Sequence, residues 1–301
     1  MSVGEEGTLA GQQVGVGAMA RARPIVDAHH HFWRLGRGDY DWLTPDLGVL
    51  YRDYGPDDLQ PLAHQAGVQA TVLVQAAPTD AETDFLLTAA AAWPVVAGVV
   101  GWTDLDSPQA GARIDVLAAT PTLKGLRPML QDEPDPDWLS RPAVTAAVRQ
   151  MTTLGLSLDA LVRPSQIPSL TDFADAHPTL PIVLDHGGKP DIANRGFDIW
   201  ARSISELARR PQVHCKLSGL LTEAGPKTTD DDLAPYVDHL LASFSPGRLM
   251  WGSDWPVLRL ASEYGDWLGQ VVRMLGRLSD DEAGAILGAT ATRFYRLETM
   301  E

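Results

Sequence analysis

Short runs of apolar and β-branched residues recur along the whole chain, with stretches of helical spacing in most of the gaps. Eight runs predict β-strands, at residues 24–29, 70–75, 95–102, 123–127, 156–162, 181–186, 212–217 and 248–254. The helical stretches are residues 57–66, 80–92, 141–154, 165–177, 197–210 and 231–243. This alternation favours a parallel sheet, and eight units favour a closed α/β barrel, the (β/α)8 TIM barrel, over an open doubly wound sheet.

The same pattern predicts how the chain divides. Residues 24–301 are expected to form one domain, a barrel whose last segment, from Glu263 onward, supplies two closing helices. Residues 1–23 are rich in Gly and Ala, lack a basic start followed by an apolar stretch, and are expected to form a flexible tail without a secretory signal. Met19 is a candidate alternative start.

Composition narrows the class of protein. The 301 residues are 45% hydrophobic and 21% charged, which is typical of a globular chain. A net charge of −15 argues against nucleic-acid and membrane-surface binding, because phosphate surfaces would repel the protein. The single cysteine excludes an internal disulfide and a Cys-rich metal site, which fits a cytoplasmic location, and no apolar run is long enough for a transmembrane helix.

Three histidines follow one another at the end of the first predicted strand. Alternate residues of a strand share a face, so His29 and His31 are expected to point together and His30 to point the opposite way. Two imidazoles on one face suit a metal ion, or a cluster that polarises a carbonyl group. Surface or packing histidines are the alternative for such a pair taken alone.

Two further strand ends carry polar residues where barrel enzymes place their chemistry. His186 ends the sixth strand before two glycines, and Asp254 follows the eighth. Taken singly, each has a structural alternative: a turn with a hydrogen-bonded histidine, and a helix cap. Barrel closure makes the first strand a neighbour of the eighth, so we expect these two residues to converge with His29 and His31.

Other strand-end residues are candidates for substrate contacts. Hydrogen-bond donors come from Arg127, Gln75 and Lys189, and apolar walls from Trp33, Trp102 and Trp255. Core packing is an equal alternative for each tryptophan. Glu223 is a candidate metal ligand or sugar contact, with a solvated loop acid as the alternative. Lys216 shares a strand face with Ser218, and a structural ion pair is its alternative role.

Six segments at these strands resemble the amidohydrolase superfamily, and most closely its sugar-acid lactonase branch. They are DAHHHFW (27–33), LVQAAPTDAET (73–83), GLRPMLQ (125–131), LDHGGKPDI (184–192), CKLSGLLTEA (215–224) and WGSDWPV (251–257). The resemblance implies a distorted (β/α)8 barrel that hydrolyses a lactone such as L-rhamnono-1,4-lactone or L-fuconolactone.

The chain departs from relatives that hold two metals with a carboxylated lysine and a histidine on strands four and five. Strand four presents Arg127, Lys124 has the opposite parity, and strand five has no histidine. We therefore expect one divalent metal, with Zn²⁺ the first choice, or none. His29, His31 and Asp254 would hold it, with Glu223 as an additional candidate.

The resemblance and the residues together suggest a mechanism. Asp254 would take a proton from water, while His29, His31 and His186 would polarise the carbonyl, directly or through one metal. Few basic residues lie at the expected site, which favours a neutral sugar lactone over a dicarboxylate. The alternatives are a metal-dependent decarboxylase, a pyrone-dicarboxylate lactonase, and a non-catalytic sugar-binding barrel. The oligomeric state stays open.

Overall fold

A computed structural model describes residues 24–225 and 228–298, and within them it confirms the predicted barrel architecture. Eight parallel strands form one sheet in chain order. They are β1 (Ile25–His30), β2 (Val68–Val74), β3 (Val96–Gly101), β4 (Leu123–Leu126), β5 (Ser157–Ala160), β6 (Ile182–Leu184), β7 (Val213–Leu217) and β8 (Leu249–Trp251). The tail predicted for residues 1–23 lies outside the described residues.

Helices follow most of the strands, as the alternation predicts. They are α1 (Pro56–Gln65), α2 (Asp80–Ala92), α3 (Ala110–Ala118), α4 (Pro142–Thr153), α5 (Ile167–Ala176), α6 (Phe197–Leu207), α7 (Leu220–Ala224), α8 (Asp230–Phe244), α9 (Tyr264–Met274), α10 (Asp280–Gly284) and α11 (Thr290–Tyr295). The sequence analysis missed α3, a short helix without a side-chain N-cap that buries only Ala110, Ile114 and Leu117. None of the described helices is long and apolar enough to cross a membrane.

The barrel closes where β1 meets the segment that follows β8. The backbone N–H of His31 donates to the carbonyl of Trp255 at 2.7 Å, and that of Asp254 donates to the carbonyl of His29 at 2.8 Å. The N–H of Ser253 donates to the Asp27 carboxylate at 2.8 Å. These bonds satisfy polar groups that burial would otherwise leave unpaired. They place Asp254 beside the histidines of β1.

The last helix packs against the strands and contributes to the interior. A small apolar cluster joins Val26, Val72 and Met250 to Ala291 and Tyr295 of α11, all of them buried. The described part of the segment after Glu263 forms three α-helices, α9, α10 and α11, where the sequence analysis expects two. Packing of α11 directs the Tyr295 hydroxyl between the strands, where it donates to the buried Asp159 carboxylate.

Candidate active site

Three imidazoles surround one carboxylate at the carboxyl ends of the strands. Asp254 Oδ1 lies 3.3 Å from His31 Nε2, 3.8 Å from His29 Nε2 and 3.9 Å from His186 Nε2. All four side chains are buried. The structure therefore brings together the four residues that the sequence places at the ends of strands one, six and eight.

Unusual backbone conformations aim two of these side chains. His186 has a φ of 54° and Asp254 a φ of 60°, the left-handed region that non-glycine residues rarely adopt and that is enriched at functional sites. Two glycines make room for them. A Cβ on Gly219 would lie 2.7 Å from the His186 ring, and a Cβ on Gly252 would lie 2.8 Å from His29 Cβ. The glycines of these loops therefore permit close packing around the histidines.

Each histidine uses its second ring nitrogen for a contact that orients it. His31 Nδ1 lies 2.8 Å from the carbonyl oxygen of Val74, which only accepts, so Nδ1 carries a proton and in the neutral ring Nε2 keeps its lone pair. His186 Nδ1 lies 2.9 Å from Ser218 Oγ. His30 points away, as predicted, and its Nε2 lies 2.9 Å from the Thr71 hydroxyl.

The electrostatics of the site favour an ionised acid among neutral bases. Burial lowers the pKa of His29 well below its usual range and lowers the pKa of His186 to about 4. Burial by itself would raise the pKa of Asp254, but the adjacent His186, His31 and His29 outweigh it and hold that pKa below its usual range. Asp254 is thus a carboxylate at neutral pH, while His29 and His186 are uncharged.

A chain of alternating buried charges runs beside the histidines. Lys216 Nζ lies 2.6 Å from Asp159 Oδ2 and 3.0 Å from Asp185 Oδ1. Arg127 Nη1 donates to Asp185 Oδ2 at 3.2 Å, and the Tyr295 hydroxyl donates to Asp159 Oδ2 at 2.6 Å. Two cations balance two carboxylates, as burial of charge requires. The ion-pair role considered for Lys216 is therefore present.

The sequence analysis missed Asp159 and the contacts of Asp185. Strand alternation could have found Asp159, since it shares a face of β5 with Ser157 and lies opposite apolar residues. Burial raises the pKa of Asp159. Burial acts in the same direction on Asp185, but Lys216, His29 and Arg127 outweigh it and hold that pKa well below its usual range.

Two predicted substrate contacts are engaged with each other. Arg127 Nη2 donates to the Gln75 carbonyl, and Gln75 Nε2 donates to the Arg127 carbonyl at 2.9 Å. Arg127 Nη1 also lies 3.5 Å from His29 Nε2. Arg127 therefore lies beside His29, with Gln75 bonded to it, while Arg127 Nε and Gln75 Oε1 are buried and have no protein hydrogen-bond partner.

The tryptophans lie in different surroundings. Trp33 and Trp255 are buried and pack edge-on against Tyr54, with ring centroids 5.4 Å and 5.1 Å away. Trp102 is partly buried, and its backbone N–H donates to the Thr83 hydroxyl at 2.7 Å. Trp33 and Trp255 are therefore core residues, and of these three tryptophans only Trp102 keeps part of its surface exposed.

Lys189 and Glu223 form an ion pair with each other. Lys189 Nζ lies 2.8 Å from Glu223 Oε1, and a quarter of each side chain is exposed. Lys189 follows β6 and Glu223 belongs to α7, so the pair joins the loop after β6 to the helix after β7. Both residues are thus accessible at the rim.

Comparison with known proteins decides the family. The amidohydrolase family model matches residues 26–297, which is most of the chain. The chain belongs to the amidohydrolase family. Two relatives carry the name L-fucono-1,5-lactonase. The one from Burkholderia ambifaria is 46% identical over 91% of this chain and 96% of its own, and the one from Burkholderia multivorans is 40% identical over 90% and 96%.

A solved structure gives the same picture of the fold of this amidohydrolase. An amidohydrolase from Burkholderia multivorans with bound zinc superposes with a TM-score of 0.87 at 40% sequence identity, covering 91% of this chain and 100% of that one. The fold, the family and the order of the strands are therefore consistent with one another.

The amidohydrolase also has a donor set that suits one divalent ion. His29, His31 and Asp254 each offer one ligand atom, and these atoms lie within 4.8 Å of one another, which is close enough to hold one ion. His29, Asp185 and His186 form a second group of this kind. A tetrahedral zinc ion with bonds of about 2.1 Å holds its ligand atoms about 3.4 Å apart. In the first group, the distances among the Nε2 atoms and Oδ1 are 3.2 Å, 3.3 Å and 3.8 Å. These three residues fit the ion, and Glu223 belongs to neither group.

Proposed function

We propose that this amidohydrolase hydrolyses a sugar-acid lactone to the aldonic acid, with L-fucono-1,5-lactone as the first candidate substrate. The observation that carries the proposal is the Asp254 carboxylate within 3.9 Å of three imidazoles in an otherwise buried site. The names of the two Burkholderia relatives, which match nine-tenths of the chain, support the same substrate class.

Asp254 is the proposed general base. Lactone hydrolysis requires a water molecule to lose a proton as it attacks the carbonyl carbon, and an ionised carboxylate accepts that proton. The low pKa of Asp254 keeps it in the ionised form at neutral pH. After attack, the same carboxyl group can return the proton to the ring oxygen as the ring opens. No other carboxylate among the described residues lies as close to all three imidazoles.

His29 and His186 are the proposed groups that stabilise the developing oxyanion directly, whereas His31, whose Nδ1–H is donated to the Val74 carbonyl, would act through a bound ion. Neutral imidazole N–H groups donate hydrogen bonds to a carbonyl oxygen, and fixed donors in a water-poor site stabilise the negative charge that builds there. The lowered pKa values of His29 and His186 keep these rings neutral at neutral pH, so each ring carries one N–H proton.

One divalent ion, with Zn²⁺ as the first candidate, would be held by His29, His31 and Asp254. When bound, it would polarise the carbonyl oxygen and lower the pKa of a bound water. The fit of the three ligand atoms supports the proposal, as does the zinc in the Burkholderia multivorans amidohydrolase. The alternative is hydrolysis by these side chains without a metal ion, and the chelation assay described below distinguishes the two.

The remaining predicted site residues are proposed to hold the sugar. Gln75 and Arg127 would present their unpartnered atoms, Gln75 Oε1 and Arg127 Nε, to ring hydroxyls. Lys189 and Glu223 would contact hydroxyls at the rim, and the half-buried Trp102 would pack against an apolar ring face. Trp33 and Trp255 would act through packing, because both are buried.

A proton-release assay tests the proposal directly. Purified protein is assayed against a panel of aldono-1,4- and 1,5-lactones, before and after chelation and with added zinc. Hydrolysis of L-fucono-1,5-lactone or a stereoisomer is the expected result. Loss of rate on chelation that zinc restores supports a metal-assisted reaction, and rates that chelation leaves unchanged in metal-free protein support the direct one. Failure to open any lactone, with carbon dioxide release from an aromatic acid, would replace the proposal with a decarboxylase.

A further inference from the structure

The Lys216 ammonium meets three acceptor groups. Its Nζ lies 2.6 Å from Asp159 Oδ2, 3.0 Å from Asp185 Oδ1 and 3.1 Å from His29 Nδ1. An ammonium has three N–H donors and no acceptor site, so the His29 nitrogen that faces it must accept. We propose that Lys216 is a positioning residue that holds the single proton of His29 on Nε2.

The contact between His29 and His31 also requires a proton on His29 Nε2. His31 donates from Nδ1 to the Val74 carbonyl, which leaves a lone pair on its Nε2. His29 Nε2 lies 3.2 Å from that lone pair, so one of the two nitrogens must carry a proton. A proton on His29 Nε2 meets this need. The hydrogen bonds then run in one direction, from Lys216 through His29 and His31 to Val74.

The rival tautomer places the proton on His29 Nδ1 and directs it to Asp185 Oδ1, an oxygen that Lys216 Nζ already contacts at 3.0 Å. That oxygen is 3.5 Å from Nδ1, longer than an ordinary N–H···O bond. The rival would also point an N–H of Lys216 at the N–H of His29, and two lone pairs at each other between His29 and His31. Two repulsive contacts at 3.1 Å and 3.2 Å oppose it, whereas the proposed tautomer has one longer contact of this kind, between the N–H groups of Arg127 Nη1 and His29 Nε2 at 3.5 Å.

The consequence for catalysis rests on the proposed function. A proton on Nε2 makes His29 a hydrogen-bond donor toward the lactone carbonyl. A divalent ion needs a lone pair on the same atom, so Lys216 must weaken ion binding by opposing the tautomer that ligation requires. Lys216 thus biases the site toward direct stabilisation of the oxyanion by His29.

The tautomer is measurable without substrate, so a failed lactonase assay would leave this test intact. Protein with ¹⁵N-labelled histidine is freed of metal, and the His29 signals are assigned by their loss in the His29→Gln variant. The expected spectrum shows a protonated Nε2 and an unprotonated Nδ1 for His29, with the opposite tautomer for His31. A protonated Nδ1 on His29 overturns the proposal.

A charge-balanced variant tests the role of Lys216 itself. The double variant Asp159→Asn with Lys216→Met removes one buried charge of each sign and leaves Asp185 paired with Arg127. We expect the His29 proton to move to Nδ1 and zinc affinity, measured by competition with a chelating dye, to rise roughly 10–100-fold. Lys124→Met, a matched change at a lysine that contacts Arg296, should leave both unchanged. Unchanged affinity and tautomer in a folded double variant would overturn the role of Lys216, and the wild-type spectrum decides if that variant does not fold.

Discussion

The carboxylate of Asp254 lies 3.3 Å from Nε2 of His31, although 223 positions separate the two residues in the sequence (254 − 31). They meet because the segment after β8 pairs with β1, through the bond from the Asp254 N–H to the His29 carbonyl. Closure of the barrel therefore assembles the proposed base and its imidazole partners in one step. A local change at this closure is expected to alter the site as a whole.

Asp254→Asn should remove most of the activity without unfolding the protein. An amide keeps the shape of the carboxyl group but cannot take a proton from water, so kcat for lactone hydrolysis should fall by about 10²–10⁴ while KM changes little. Initial rates of proton release measure the effect, with circular dichroism to verify folding. The matched control is Asp172→Asn on the exposed side of α5, which should keep the wild-type rate. Asp254→Asn protein with an undiminished kcat would exclude this residue as the base.

Neighbouring histidines of β1 should differ in their effect on metal binding. His31 faces Asp254, whereas His30 faces the Thr71 hydroxyl. We expect wild-type protein to bind one equivalent of zinc, His31→Asn to weaken binding by more than about tenfold, and His30→Asn to bind as wild type does. Isothermal titration calorimetry with zinc measures the three affinities, at a temperature where all three proteins are fully folded. Equal loss in both variants would mean that the ion binds elsewhere or that folding is perturbed.

The lactonase activity should persist to a lower pH than it would if a histidine of ordinary pKa had to stay neutral. Burial lowers the pKa of His186 to about 4, so this ring stays neutral well below pH 6.5. For metal-free protein, kcat/KM for the lactone should be nearly constant from pH 8 to about pH 5 and fall below that. A stopped assay of aldonic acid formation in mixed buffers measures the profile. An inflection near pH 6.5 would contradict the assigned burial effect or identify another titrating group.

Replacing Arg127 alone should lower the free energy of unfolding more than replacing Arg127 and Asp185 together. Arg127→Met leaves Asp185 Oδ2 without its guanidinium partner in a fully buried position, so the free energy of unfolding should fall by roughly 3–5 kcal/mol. The double variant Arg127→Met with Asp185→Asn keeps the Lys216–Asp159 pair balanced and should recover part of that loss. Urea unfolding of the two variants and of Asp185→Asn completes the cycle. Additive losses would show that the pair is not coupled.

Glu82 should make folding stability depend on pH. Its carboxylate accepts from the Tyr40 hydroxyl and the Ala76 N–H, yet burial raises its pKa from 4.5 to about 7. Between about pH 4.5 and 7 the folded protein binds more protons at this site than the unfolded chain, so Glu82 lowers the free energy of unfolding as pH rises through that window. The loss amounts to at most about 3 kcal/mol.

The Glu82→Gln variant tests this contribution. Because glutamine does not titrate, the difference in unfolding free energy between wild type and variant should shrink or change sign in favour of the variant from pH 5 to pH 8. Chemical denaturation at several pH values measures it, with the exposed Glu263→Gln as the control. A difference that stays constant across this range would show that Glu82 keeps an ordinary pKa.

Much of the fold and part of the site could be predicted because they depend on local periodicity. Eight apolar runs separated by helical stretches define the barrel, and alternation along β1 correctly directs His30 away from His29 and His31. The carboxyl ends of parallel strands lie at one end of the barrel, so polar residues there could be grouped before any contact was known. These inferences need only the order and spacing of residues.

Contacts across the barrel could not be read from that spacing. The pairing of Lys216 with Asp159 and Asp185, and of Lys189 with Glu223, depends on which strands and loops face one another and in what register. The sequence by itself determined the architecture and the strand ends that carry the chemistry. Tertiary structure decided the partner of each charge, because hydrogen bonds and ion pairs depend on distances of about 3 Å between atoms that the chain brings together only on closing.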